Sequence, residues 1–98
     1  MMGDTATGHA DAGGFWVRFG ERAEAWRSRL KTGDLKQVFE EIDGLLRQTG
    51  HEFCCEVTEL GEDAALILTP EGDPEQASKI DALIAGKPSL EGWQVFFG

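Results

Sequence analysis

Ninety-eight residues with 41% hydrophobic side chains, three Trp and six Phe are enough for one domain with a real core. The net charge is −9 and unevenly placed: residues 1–50 hold seven Lys/Arg against eight Asp/Glu, and residues 51–98 hold two against ten. That balance argues against a phosphate-backbone binder, which needs clustered Lys/Arg, and no apolar run approaches the ~20 residues of a bilayer span.

The two cysteines, Cys54 and Cys55, are adjacent and cannot staple distant segments. No charged, then apolar, then small-residue stretch opens the chain, so the expectation is a reducing, cytoplasmic setting. Residues 1–14 are rich in Gly, Ala, Thr and Asp and lack apolar periodicity, which predicts a disordered leader with His9 a solvated side chain. Residues 15–98 then form one α+β domain, expected to be the N-terminal part of a longer protein.

Phe15, Phe19, Ala23, Trp26 and Leu30 recur at helical spacing and predict a first helix from Phe15 to about Leu30, with Trp16 at the margin of its apolar face. Arg18, Arg22 and Arg29 form a narrow stripe beside that face. Such a stripe suits an anion or acidic partner. Equally, the stems can cover the edge of the core while the heads pair with the acidic second half.

Thr32-Gly33-Asp34 breaks the chain, and Asp34 with Gln37 suits a cap for a second helix. Leu35, Val38, Phe39, Ile42, Leu45 and Leu46 give the cleanest helical pattern in the sequence, closed by Gly50 with Arg47 in the last turn. A first strand follows from about Glu52 to Glu59. Phe53, Cys55 and Val57 should face the core, and Glu52, Cys54, Glu56 and Thr58 the other side.

Leu60-Gly61-Glu62-Asp63 is a hairpin turn into the second strand, Ala64 to Thr69, whose continuous apolar run suits burial on both faces. Thr69-Pro70-Glu71-Gly72 stops that strand. Asp73 then caps a third helix from Pro74 to about Ala85, with Pro74 at its first position, Gln76 three residues after the cap, and Ala77, Ile80 and Ile84 inward with help from Leu83. Gly86 and Pro88 end it. The third strand runs from about Gly92 to Phe97, with Trp93, Val95 and Phe97 alternating with Gln94 and Phe96.

The predicted architecture is therefore α+β in the order α-α-β-β-α-β. Its three-stranded mixed sheet has order 1-2-3, with helices on one face and the first helix at the edge or over the back. The back face is partly apolar through Phe96 and Cys54, beside Glu56. Either the first helix or another chain must cover it.

Little in the residues points to catalysis. Cys54 is flanked by Glu52 and Glu56 rather than by the cation or helix N-terminus that a catalytic thiolate needs. His51 and Cys54 lack a second Cys/His pair to complete a zinc site, and no acidic loop has calcium-ligand spacing. Serine-histidine catalysis and a phosphate loop are equally unsupported. The sequence thus implies no metal, cofactor or catalytic residue.

Phe15-Trp16 opening a helix, Gly72-Asp73-Pro74-Glu75 opening another, and Pro88-Ser89-Leu90-Glu91-Gly92-Trp93-Gln94-Val95 forming the last strand together resemble a family of uncharacterised bacterial cytoplasmic proteins. The resemblance covers about Phe15 to Phe97. It implies a second domain after this one and no known catalytic residues. The functional expectation is a non-enzymatic interaction or self-association module, immunity-like or regulatory, that binds a protein or a second copy of itself. Cys54, Phe96, Glu56, Arg18, Arg22 and Arg29 are its candidate surface. The alternative is a small ligand- or anion-binding or enzymatic domain using the loop at Glu71–Asp73, where a helix N-terminus is presented.

Overall fold

The computed structural model describes residues 11–98; His9 and most of the expected leader lie outside them. The first helix, α1, spans Ala12–Lys31, so it begins three residues ahead of Phe15. Asp11 makes the earlier start stable, because its carboxylate accepts the Gly14 N–H at 2.9 Å and satisfies a first-turn donor. Phe15, Phe19, Ala23, Trp26 and Leu30 are all buried, as their spacing requires. Trp16 is buried with them rather than marginal.

Helix α2 spans Leu35–Gln48. Asp34 sits at its N-cap position but makes no cap bond; its Oδ2 accepts from Nε and Nη2 of Arg29 at 3.1 and 3.0 Å instead. Two charge-assisted bonds to one carboxylate oxygen outcompete a bond to a neutral backbone amide. At the other end Arg47 does more than complement the helix dipole. Its guanidinium donates to the carbonyls of His51 and Phe53 at 2.6 and 2.9 Å and to Asp43 at 2.9 Å, which fixes the path from helix to sheet.

Strand β1 (Cys54–Leu60) pairs antiparallel with β2 (Asp63–Thr69), and helix α3 (Pro74–Ala85) returns the chain to β3 (Trp93–Phe97), parallel to β2. The sheet order is β1-β2-β3, with β2 central. Register places Cys55 opposite Leu68, Val57 opposite Leu66, and Ala64 beside Trp93, so these six share one face. All six are buried and form one core with the apolar sides of the three helices. Cys54, Glu56, Thr58, Ala65, Ile67, Gln94 and Phe96 occupy the opposite face.

The first helix lies on neither the edge nor the back. α1 packs on the same face as α2 and α3, because its aromatic side chains need the partners found there. The ring centroids of Phe19 and Trp93 are 4.9 Å apart, edge to face. Each tryptophan also donates its indole N–H across an element boundary. Trp93 bonds the Ala23 carbonyl at 2.7 Å, Trp16 the Leu83 carbonyl at 2.8 Å, and Trp26 the Glu41 carboxylate at 2.8 Å. Thus α1 is tied to β3, α3 and α2 in turn. A buried indole without a partner would lose about 1–3 kcal/mol, so these bonds select the helix's position as well as supporting it.

In α3, Asp73 caps as its position predicts, accepting the Glu75 N–H at 3.0 Å, but Gln76 completes no capping box and its Oε1 is buried without a partner. Ile80 and Leu83 are the buried pair, with Ile84 only partly covered. Phe97 is 44% exposed although its alternation points it toward the helices. It lies at the end of the last strand, opposite Leu68 in the register.

Candidate interaction surfaces

The arginine stripe is engaged from within its own half of the chain. Arg29 pairs with Asp34 at 3.0 Å and with Glu41 at 3.2 Å, and Arg22 reaches Glu41 at 3.8 Å. The expected partners in the acidic second half are not used, because α2 lies closer to α1 than any strand carboxylate does. Arg18 makes no ion pair among the described residues.

Between α1 and α2 a cleft of about 520 Å³ is lined by Arg18 and Arg22, but also by Glu21, Glu40 and Glu41, with Trp26 and Gly44 among its other walls. Three carboxylates against two guanidiniums leave no positive field for an anion. Glu41 is the hub of this network. The Trp26 indole N–H above all, with Arg29 and Arg22 adding, holds its carboxyl below the usual range against the opposing pull of burial.

The remaining titratable candidates are structural. His51 is buried; its Nδ1 lies 3.0 Å from the Thr49 hydroxyl and its ring packs edge-on to Phe15. Burial lowers its pKa, with Arg47 and Lys79 adding, against the raising effects of a Leu46 backbone hydrogen bond and Asp11. Cys55 is buried and its thiol is pushed up to about 12, chiefly by desolvation. Cys54 points to the other face and is exposed. His51 and Cys54 therefore serve different environments, and no group of three His, Cys, Asp or Glu is placed to hold a metal among the described residues.

The loop at Glu71–Asp73 is a tight turn in which the Asp73 N–H donates to the Pro70 carbonyl at 3.0 Å. Glu71 and Gly72 have φ of 56° and 83°, the left-handed conformation that a type I′ turn needs at both central positions. The first-turn amide of α3 is taken by Asp73, and Glu71 and Glu75 add negative charge there. An anion meets carboxylates rather than free donors.

Two parts of the sheet present accessible apolar side chains among the described residues. On the face without helices, Phe96 is 41% exposed and lies beside half-buried Ile67 in the register, with Glu56 on the far side of Ile67. No described helix covers this face, so Cys54, Glu56 and Phe96 do share one accessible surface, whereas Arg18, Arg22 and Arg29 lie on the helical side. The second part is the outer edge of β1. There Leu35 and Phe39, 46% and 36% exposed, overhang Cys55, Val57 and Glu56 and enclose a groove of about 400 Å³. The periodicity of α2 marks both residues as apolar-face positions. What it could not show is that the start of the helix lies beside β1, with Leu35 and Phe39 lining one groove with Cys55 and Val57.

These features define an α+β domain with a three-helix layer on one side of an open three-stranded mixed sheet. Comparison of the chain with known protein families, with curated proteins and with solved structures found no match to any of them. No helix among the described residues is long and apolar enough to cross a membrane.

Proposed function

We propose that this domain is a non-catalytic protein-interaction module that meets a second protein, or a second copy of itself, through its sheet. One observation carries the reading: with all three helices on one face, Ile67 and Phe96 remain accessible on the other, beside Glu56 and Cys54. The concentration of negative charge in residues 51–98 favours a basic partner, which suits an immunity-like or regulatory role. A bacterial cytoplasmic setting within a longer protein belongs to the same proposal and rests on the resemblance carried by Phe15-Trp16 and Pro88 to Val95. Catalysis has less support, since the one described histidine is buried against Thr49 and the accessible thiol of Cys54 is flanked by Glu52 and Glu56 rather than by a cation.

Sedimentation equilibrium from micromolar to near-millimolar concentration tests the surface. A dimer that is lost in Phe96→Glu identifies a second copy as the partner; a monomer in both proteins removes that version and leaves a different protein. A thermal-shift screen with metals, nucleotides and small anions tests the whole reading. Saturable stabilisation that disappears in Asp73→Asn would replace it with ligand binding at Glu71–Asp73.

A further inference from the structure

We infer that the outer edge of β1 is a β-addition site for an extended, basic-and-apolar segment of a partner protein; the inference rests on the interaction reading above and names its site. Among the described residues β1 is paired on one side only, over seven residues from Cys54 to Leu60, so its other side offers a row of backbone donors and acceptors. Edges of this kind are commonly blunted by lysine, proline or a covering loop. β1 contains neither lysine nor proline.

Beside the edge, the groove under Leu35 and Phe39 is the right place for alternate side chains of an added strand. A strand laid along β1 turns every second residue toward the helical layer, where Leu35, Phe39 and Val57 form an apolar wall. The residues between them turn to the open face, where Glu56 is the neighbouring charge on β1. Cross-strand neighbours of opposite charge are favourable there and like charges are not. Glu52 precedes the strand, and Glu59, within it, turns by alternation to the helical side opposite Ala64; both are exposed, while Lys36 is the one basic side chain lining the groove. The complementary segment therefore alternates apolar residues with Lys or Arg. A second copy's β1 carries the same glutamates and is the poorer occupant.

The test is titration of the isotopically labelled domain with a synthetic heptapeptide of alternating lysine and valine, followed by amide chemical shifts, with a fully N-methylated version as control. Saturable shifts are expected along Cys54–Leu60 and at Leu35 and Phe39. Binding should weaken at least about tenfold on N-methylation, which keeps the charge and removes the backbone donors. Phe39→Glu should weaken it too, with unchanged amide shifts away from the groove showing that the variant keeps its fold. Equal binding of both peptides would mean charge attraction alone and would overturn the inference, as would no saturable shift at millimolar peptide. Shifts centred on Ile67 and Phe96 instead would overturn the edge site and leave the interaction module standing.

Discussion

The indole N–H of Trp93, at the start of β3, donates to the carbonyl of Ala23, in the middle of α1, at 2.7 Å. Residues 70 positions apart in the chain are thereby locked to each other inside the core. The Ala23 carbonyl keeps its helical partner, so Trp93→Phe removes one bond and leaves a small void rather than an orphaned group. It should destabilise the domain by about 1–2 kcal/mol. Trp16→Phe should cost a similar amount, since the Leu83 carbonyl likewise keeps a backbone partner, the Gly86 N–H at 3.2 Å. Trp26→Phe should cost less, because Glu41 is part-exposed and keeps Arg29. Urea midpoints with unchanged m-values measure all three.

Gly92 has φ of +80°, and a Cβ built there would lie 2.5 Å from Nε of Arg27. Two penalties therefore meet at one position: a left-handed backbone and a steric overlap. Gly92→Ala should destabilise by about 1–3 kcal/mol. Adding Arg27→Ala should recover the steric part and leave the backbone part, a coupling that a double-mutant cycle reads directly. Additive effects of the two changes would show that Arg27 does not lie against this glycine.

Acid should weaken the fold in two separate windows. Burial lowers the folded pKa of His51 below its ordinary 6.5, so the unfolded chain takes up the proton first as pH falls. Stability is complete above about 6.5 and declines as pH drops from there toward the folded value. In Glu41 the folded pKa is lowered from 4.5, so its contribution is present above that value and is lost only as pH falls through the lower folded one. Urea midpoints between pH 7.5 and 5.5 should fall in the natural chain and stay nearly flat in His51→Leu. Glu41→Gln should leave that window unchanged and flatten the lower one.

The adjacent cysteines should differ sharply in reactivity. Cys54 is exposed on the open face, whereas Cys55 is buried with its thiol near 12. A thiol-specific disulfide reagent should label one cysteine in the native protein and two in urea. Cys54→Ser should abolish the native label, and Cys55→Ala should leave it.

Most of the fold could be read from the residues, because periodicity is local information. The spacing of Phe15 to Leu30, the pattern of α2, the alternation of Phe53, Cys55 and Val57, and the Asp73-Pro74 helix start each specify one element by themselves. The β1-β2-β3 order follows from a short hairpin and one crossover. The position of α1 was not legible, since it depends on where three indole N–H groups find acceptors, and those acceptors are distant in sequence. The same holds for the arginine stripe. Its spacing was visible, but its pairing with Asp34 and Glu41 depends on how α2 folds back along α1. Cys54, Glu56 and Phe96 could be grouped because strand alternation fixes their face. The groove under Leu35 and Phe39 could not, because it depends on where α2 docks beside β1.

That every helix sits on one face while the other stays open is tested most directly by solvent paramagnetic attenuation of the monomeric domain. Ile67 lies between Leu66 and Leu68 in β2, and alternation sends it to the opposite side from both. With a neutral gadolinium chelate in solution, the Ile67 methyls and the Phe96 ring protons should broaden several-fold more than the methyls of Leu66 and Leu68. Protection of Ile67 and Phe96 equal to that of the two leucines would mean that the back of the sheet is covered, and would contradict both the open face and the interaction surface built on it.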